Sequence, residues 1–360
     1  MTHPAPRRDG ADDAPLTYSI FSVQDHYPEL GKSLAQFYSE TIEQGVLAER
    51  LGYDSFFVAE HHFSPYGTIP NPAVFLSHLA AKTSQIRLGP AISVLSYHPA
   101  FEVAENYAML DILSGGRVTL GIGSGYLARE LAGYGVDLSV KRERYDEAME
   151  ILHKALDGER FSHSGKHFQI DDMMLNVTPI QQQGLPIYIA VSDANVAYHV
   201  GKQGNNMMFV PYSRLNQITD LRHVLDNFRN GHAEFAATVG SDADDADILM
   251  AFHVHVANTD EAAHATAKEP FELYLRTRER AKHQEFSLIA SEEGLSLIGS
   301  VESIAKKVVK LYELGVRHVM LLHNFGNMPA AQVQASIRLF AEEVMPRVNA
   351  TIRERELDIA

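Results

Sequence analysis

Acid–base side chains follow several short apolar segments of this 360-residue chain, which contains 18 histidines. The clearest group is Glu60-His61-His62, directly after the apolar run 54–59. An imidazole titrates near neutral pH and can give or take a proton, so the group is typical of a site for acid–base chemistry. Adjacent residues of an extended segment point to opposite faces. One of the two histidines is therefore expected to face a site and the other to pack under a helix.

Four further side chains occupy comparable places and are candidates for a substrate pocket. They lie at or near the ends of four other strand-like segments and are His26, Tyr97, His253 and His323. His253 and His255 also form an H-x-H pair of the kind that binds zinc. Because few carboxylates accompany them, we predict no metal ion, and a metal-dependent barrel hydrolase is kept as an alternative that a metal analysis would test.

Two further segments have the composition of anion-binding turns. The first is the glycine-rich run Gly121–Tyr126, in which Gly123, Ser124, Gly125 and Tyr126 could offer backbone N–H groups. It is a poor match to a dinucleotide fingerprint, and a tight turn without a ligand is its simpler interpretation. The second is the start of a helix, where Ser192, Asp193 and Asn195 could hold a phosphate or serve as an ordinary N-cap.

These candidates become neighbours if the chain folds as one barrel. Segments with strand character alternate with helical segments and occupy 16–23, 54–59, 86–95, 117–122, 186–191, 206–210, 247–257 and 317–322. Eight such alternations predict an α/β fold, a single (β/α)₈ TIM barrel whose site lies at the C-terminal strand ends. The surplus length falls in inserted loops at 126–140, 157–185 and 283–300. A doubly wound sheet would require a glycine-rich turn after the first strand, and residues 23–26 do not provide one.

Composition and charge restrict the possible partners and setting. The formal net charge is −15, which disfavours nucleic acids and anionic membranes as partners. The chain has no cysteine, so disulfides and thiolate chemistry are excluded. No signal peptide or apolar run of membrane-spanning length is evident, so we expect a cytoplasmic protein. We expect residues 1–15 to be a disordered tail, 16–350 the barrel domain and 351–360 a C-terminal tail.

At several of these motifs the chain resembles the bacterial luciferase-like, flavin-dependent monooxygenases. The matching segments are Gly52–Gly67 with its Glu-His-His, His98–Arg117 with its Leu-Ser-Gly-Gly-Arg, Gly121–Tyr126, Arg142–Glu147 and Pro186–Ser192. The resemblance covers about 16 to 345 and implies a TIM barrel with FMN at the C-terminal rim. It implies reduced FMN delivered by a separate flavin reductase, a C4a-peroxyflavin formed with O₂, and insertion of one oxygen into a small organic substrate.

The resemblance also implies roles for individual residues. His61 matches the catalytic histidine of the family, and Glu60 is assigned to the cofactor site. The segment Ala91-Ile92-Ser93 matches the place of a non-prolyl cis peptide under the flavin ring. Luciferase has Cys-Arg where this chain has Gly123-Ser124. Backbone N–H groups of 124–126, with Ser192 and Asn195, would then hold the phosphate, and the long aldehyde substrate of luciferase does not transfer.

Two alternatives use the same barrel. An F420-dependent dehydrogenase would transfer a hydride without oxygen, with His61 or Glu60 as acid or base. Only Lys82 and Arg129 are evident as basic partners for its polyglutamyl tail. A non-catalytic flavin-binding subunit is the other alternative, against which the presence of His61 argues. The helix predicted over 99–113 is apolar on more than one side, which predicts a homodimer.

Overall fold

A computed structural model describes residues 14–240, 246–278 and 284–359. Its strands are β1 (Thr17–Ser22), β2 (Ser55–Val58), β3 (Arg87–Pro90), β4 (Ser93–Val94), β5 (Leu120–Gly123), β6 (Phe161–Ser164), β7 (Gln169–Met173), β8 (Ile187–Val191), β9 (Asn206–Phe209), β10 (Ile248–Ala257), β11 (Leu297–Ser300) and β12 (His318–Leu322). Most of the predicted tail, residues 1–13, lies outside the described residues.

The helices alternate with these strands. They are α1 (Leu34–Arg50), α2 (Pro72–Ala80), α3 (Ala100–Ser114), α4 (Ala128–Gly133), α5 (Lys141–Leu156), α6 (Ala194–Lys202), α7 (Leu221–Val239), α8 (Asp260–Thr277), α9 (Phe286–Ile289), α10 (Val301–Glu313), α11 (Ala330–Leu339) and α12 (Met345–Ile359), with a π-helical turn at Phe340–Val344 between the last two. The helix α12 continues through 351–359, which the sequence analysis set apart as a tail. No helix in the described ranges is both long and apolar enough to cross a bilayer.

Parallel strands form the predicted (β/α)₈ barrel. The hydrogen-bonded order is β3-β2-β1-β12-β10-β9-β8-β5-β4, and β3 and β4 are two parts of the interrupted third strand. A parallel bridge joins Leu88 of β3 to Val118, which lies just before β5, and this contact nearly closes the barrel. The strands are buried along nearly their whole length. A parallel strand covered on both faces needs this continuous apolar sequence.

Polar caps fix where several helices begin. The side chains of Ser33, Asn71, Asp193, Thr259 and Ser300 each accept a hydrogen bond from a backbone N–H of the first helical turn. Each of these caps satisfies a donor that the helix itself leaves unpaired. The caps sit between a strand and its following helix, so they also set the short turns that carry the rim residues.

The inserted segments contain structure that the periodicity did not predict. Segment 157–185 holds the antiparallel hairpin of β6 and β7, and segment 126–140 holds α4. Segment 283–300 was expected to be a loop, but it contains α9 and β11. The strand β11 pairs with the upper half of β10, from Val254 to Ala257, outside the barrel proper. Short elements like these have too few residues to show a reliable periodicity.

Candidate active site

A cavity of about 920 Å³ lies at the C-terminal end of the barrel. Its size is within the range of small-molecule and cofactor sites. Most of the predicted cofactor residues line it: Glu60, Ala91, Ile92, Gly123, Ser124, Gly125, Tyr126, Ser192 and Asn195, together with the predicted catalytic His61. The topology therefore brings together residues that are more than 130 positions apart in the sequence.

The floor of the cavity is made largely of backbone and small side chains. The peptide bond between Ala91 and Ile92 is cis. On the neighbouring strand, a Cβ added at Gly123 would lie 2.0 Å from Ile92 Cδ1 and 3.2 Å from Ala190 Cβ. Gly125 has a φ of 68°, which favours glycine. These positions leave room for a flat group above the third and fourth barrel strands.

His61 is held in place by a carboxylate that sequence reasoning missed. Its Nδ1 lies 3.1 Å from Glu130 Oε1, and the same oxygen accepts the backbone N–H of His62 at 2.8 Å. Tyr97 Oη donates to the other oxygen of Glu130 at 3.1 Å. Since the ionised carboxylate only accepts, it selects the Nδ1–H tautomer of His61. The second ring nitrogen, Nε2, is then the one that chemistry in the cavity can use.

Glu60 is the centre of a second buried network. Its Oε1 accepts hydrogen bonds from Nε2 of His62 at 3.1 Å and from Nε2 of His98 at 2.8 Å. Its Oε2 accepts from the side chain of Ser93 and the backbone of Val94. Burial opposes ionisation of Glu60, but these donors prevail and lower its pKa to about 2. Ser93 therefore contacts Glu60 and does not line the cavity, contrary to the prediction.

This network explains the two adjacent histidines. His61 lines the cavity, whereas His62 packs edge-on against the stacked rings of Tyr97 and Tyr134 and contacts Glu60, as the opposite faces of an extended segment require. Ligand-type atoms of Glu60, His62 and His98 lie within 4.8 Å of one another. Their mutual hydrogen bonds account for this closeness without an ion.

Asp193 is the N-cap of α6, which is one of the two roles that the sequence offered for it. Its Oδ1 accepts the backbone N–H of Val196 at 3.1 Å, and its Oδ2 accepts the hydroxyl of Ser192 at 2.9 Å. Burial works against the ionised form, but these hydrogen bonds lower the pKa of Asp193. A carboxylate in this position repels a phosphate, so Asp193 is a helix cap. It does not line the cavity, although Ser192 and Asn195 on either side of it do.

The four predicted substrate-pocket residues do not line the cavity. His26 donates from Nε2 to the backbone oxygen of Lys32 at 2.7 Å, and its ring packs on Phe37. Tyr97 lies behind Glu130 and stacks on Tyr134 with ring centroids 4.9 Å apart. Each side chain is held beneath or beside the rim, so proximity to a strand end did not bring it to the cavity surface.

The other two histidines point away from the barrel axis toward helices. His253 packs against rings of α8, with its centroid 4.9 Å from that of Tyr274, and burial holds its pKa well below the usual range. His323 pairs with Ser336 of α11 at 2.9 Å, and burial lowers its pKa to about 3. Burial therefore favours the neutral form of both histidines, and neither belongs to a group of three or more potential metal ligands among the described residues.

The cations at the cavity also differ from those predicted. Lys82 lines a separate groove beside α1 and α2, and Arg129 is exposed on α4. The basic side chains that line the cavity are Lys141, Arg142, Arg214 and Arg278. All four lie far along the chain from the Glu-His-His group, and only Arg142 falls within one of the family segments, Arg142–Glu147, which gave it no role at the cavity.

Comparison with known proteins agrees with the resemblance. The family model for luciferase-like monooxygenases matches residues 16–318. The chain is 29% identical to 4-hydroxyprotoasukamycin monooxygenase of Streptomyces nodosus subsp. asukaensis, over 84% of this chain and 85% of that protein. The crystal structure of monooxygenase RslO1 from Streptomyces bottropensis superposes with a TM-score of 0.83, at 24% identity over 92% of this chain and 99% of that one.

Relatives with two kinds of cofactor are found. The oxygenase component of the flavin-dependent trigonelline monooxygenase of Acinetobacter baylyi is 26% identical, over 71% of this chain and 69% of that protein. The F420-dependent glucose-6-phosphate dehydrogenase of Microbacterium testaceum is 25% identical, over 86% of this chain and 93% of that protein. The relatives therefore do not decide between a flavin and a deazaflavin cofactor, and the residues of the site have to be considered.

Proposed function

The chain belongs to the luciferase-like monooxygenase family and is a flavin-dependent monooxygenase by class, and we propose that it uses reduced FMN and O₂ to oxygenate a small organic substrate. One observation carries the proposal. His61 lies at a cavity large enough for a flavin beside a substrate, and its Nδ1 is held by the buried carboxylate of Glu130. An imidazole held in one tautomer is suited to moving a proton at a fixed point.

The residues present fit a flavin mononucleotide. Ala91, Ile92 and Gly123 on the cavity floor would lie against the ring, and a Cβ at position 123 would clash with Cδ1 of Ile92. Ser192 and Asn195 would hydrogen-bond the phosphate, and the side chains of Arg142 and Arg214 at the cavity mouth would neutralise its charge. Bound reduced FMN would supply the two electrons with which O₂ is activated for transfer of one oxygen atom.

The protein would contribute orientation, proton control and exclusion of water. His61 Nε2 would hold or deliver a proton at the reacting face, because Glu130 occupies the other ring nitrogen. The aromatic side chains of Tyr66, Tyr126 and Tyr212 line the same cavity and would restrict water around it. We propose that a separate flavin reductase delivers the reduced FMN, as the name of the trigonelline oxygenase component suggests for that relative.

F420-dependent hydride transfer is the second candidate. It is favoured by the relative that uses F420 and by the cations at the cavity mouth, where Arg142 and Arg214 are exposed and could meet a polyglutamyl tail. In that case His61 would act as acid or base toward an alcohol. The two candidates share the binding surface and differ in whether the loaded enzyme reacts with oxygen.

Rapid mixing distinguishes them. Anaerobic protein is loaded with photoreduced FMN, mixed with oxygenated buffer, and the flavin spectrum is followed with free FMN as the control. We expect oxidation to proceed through a separate spectral phase that free FMN lacks. If the loaded protein oxidises like free FMN, and reduced or oxidised F420 binds more tightly than FMN, the monooxygenase proposal is wrong. If neither cofactor binds, both candidates fail.

We also propose a homodimer formed through α3. Met109, Ile112 and Leu113 are 50%, 44% and 64% exposed on this helix, whereas Val103 and Leu110 pack into the core. Such a cluster favours a protein–protein contact. Analytical ultracentrifugation at micromolar concentration should give a mass near two chains, and Leu113→Glu should shift it toward one chain, with Arg129→Glu as a control on exposed α4. A wild-type mass near one chain would contradict the proposal.

A further inference from the structure

Arg278 is a buried cation that the proposed reaction does not yet use. It follows α8, lines the cavity and is 4% exposed. Its guanidinium lies over the rings of Tyr66, Tyr212 and Tyr274, with distances from Cζ to the ring centroids of 5.4, 4.9 and 5.3 Å. Nη1 also donates to Tyr274 Oη at 3.0 Å. Aromatic faces stabilise a cation, but they do not neutralise its charge.

The charge of Arg278 has no carboxylate partner within 4 Å in the part of the chain that the structure describes. The other buried guanidiniums are satisfied differently: Arg117, for example, donates to several backbone carbonyls. Asp25 is close enough to Arg278 for an electrostatic effect, yet its Oδ2 accepts the backbone N–H of Gly326 at 2.7 Å. Burial raises the pKa of Asp25 to about 6. An unpaired buried cation is costly, which suggests that a ligand completes the pair.

The position of Arg278 connects it to the catalytic face. Tyr66 is close to both groups: its ring centroid is 4.4 Å from that of His61 and 5.4 Å from Cζ of Arg278. The hydroxyls of Tyr66 and Tyr126 are 3.5 Å apart beside the same guanidinium. Cζ of Arg278 therefore lies within about 10 Å of the His61 ring. This distance suits a substrate whose charged end is anchored and whose reacting atom is a few bonds away.

We propose that Arg278 binds the carboxylate of an organic substrate and so orients the substrate toward His61, an inference that rests on the enzymatic function proposed above. The planar guanidinium matches a carboxylate with two parallel hydrogen bonds, and the nearby phenol hydroxyls can donate to the same oxygens. One positive charge neutralises a carboxylate monoanion, whereas a phosphate dianion would require a second cation here. Apolar side chains, among them Phe21, Val23 and Met208, line the cavity and suit the uncharged body of such a substrate.

Calorimetric titration tests this assignment without oxygen or turnover. The probes are acetate, hexanoate and benzoate, each paired with its uncharged amide, titrated into protein loaded with oxidised FMN. We expect at least one carboxylate to bind about tenfold or more tightly than its amide. The preference for the carboxylate should disappear in Arg278→Met. It should weaken in Arg278→Lys, which keeps the positive charge but lacks the two parallel N–H donors of the guanidinium. Arg129→Met removes an exposed positive charge on α4 and should leave it unchanged.

Three outcomes would overturn the assignment. Equal binding of carboxylates and amides by the wild type would show that the cavity does not select anions. A preference that survives in Arg278→Met would place the anion elsewhere, and a loss of FMN affinity with carboxylate binding retained would make Arg278 a cofactor ligand. If Arg278→Met does not fold, the assignment is decided by whether Arg278→Lys weakens the preference for the carboxylate over its amide. Failure of the oxygen reaction with carboxylate selection intact would instead count against the monooxygenase proposal alone.

Discussion

Substitution of His61 with alanine is expected to shorten the intermediate spectral phase of flavin oxidation by about 100-fold, toward the behaviour of free FMN. The physical reason is the loss of the one imidazole that lines the cavity with its Nδ1 held by a buried carboxylate. Without it, no side chain at this point can hold a proton in a fixed position. The measurement is the stopped-flow experiment described for the proposed function, with equal FMN occupancy of both proteins.

The control for this substitution is His223→Ala, which removes an exposed histidine on α7, away from the cavity. Its spectral phase should match that of the wild type. A His61→Ala protein that binds FMN and retains the wild-type lifetime would show that His61 lines the site without taking part in the reaction. In that case the Glu-His-His group would have a purely structural role.

Substitution of Glu130 independently tests the pairing of His61 with Glu130. It is a positioning residue, because it acts through His61 and through the backbone N–H of His62. Glu130→Gln keeps an acceptor for Nδ1 and should reduce the lifetime of the phase less than Glu130→Ala. The double variant His61→Ala/Glu130→Ala should shorten the lifetime of the phase no more than His61→Ala alone does, since the effects of residues that act as a unit do not add. Additive losses would show that Glu130 acts through other contacts.

The barrel and many of the cavity-lining residues could be predicted from the sequence because both depend on local patterns. Alternation of strand and helix periodicity indicates the fold, and the fold brings strand ends to one rim. Ala91, Gly123 and Ser192 follow from that rule together with the family motifs, and all three line the cavity. Glu130 and Arg278 were missed because each reaches the cavity from a helix or its end, and helix positions of this kind show no pattern relative to the strand ends.

The four residues predicted for a substrate pocket do not line the cavity, and the reason is different. His253 belongs to a strand that is covered on both faces, so alternation does not reveal which face meets the axis. The ring packs outward against Phe271 and Tyr274 of α8, where it behaves as an aromatic core residue. A histidine near a strand end is thus weaker evidence for a site than a histidine beside a carboxylate, and only the tertiary structure shows which histidines have such a partner.

The Leu-Ser-Gly-Gly-Arg motif illustrates how a segment that identifies the family can serve stability. Gly115 and Gly116 end α3 with φ values of 74° and 82°, which favour glycine. The turn places Arg117 just before the fourth barrel strand, at the end of the barrel opposite to the cavity. There its guanidinium donates to the backbone oxygens of Ile86 at 2.7 Å and of Ser114 at 2.6 Å.

Arg117→Met is therefore expected to lower the free energy of unfolding by about 3–5 kcal/mol, because a 9% exposed side chain would no longer satisfy these carbonyls. Nη2 also donates to the backbone oxygens of Ala80 and Thr83, so the arginine joins the ends of α2 and α3 to the start of β3. Arg117→Lys should lose less stability than Arg117→Met, because a lysine ammonium can still reach some of these acceptors. The measurement is chemical denaturation at one protein concentration, with exposed Arg129→Met expected to change stability by about 0.5 kcal/mol or less.

The same substitution separates stability from chemistry. Residues at the N-terminal end of a barrel contribute to its stability, whereas the chemistry takes place at the C-terminal end. The folded fraction of Arg117→Met should therefore bind FMN and react with oxygen as the wild type does, after correction for the amount folded. A variant as stable as the wild type would mean that water replaces the arginine at these carbonyls. A variant that is folded but unreactive would mean that the start of β3 transmits its position to the cis peptide bond at 91–92, which lies on the cavity floor four residues beyond Arg87.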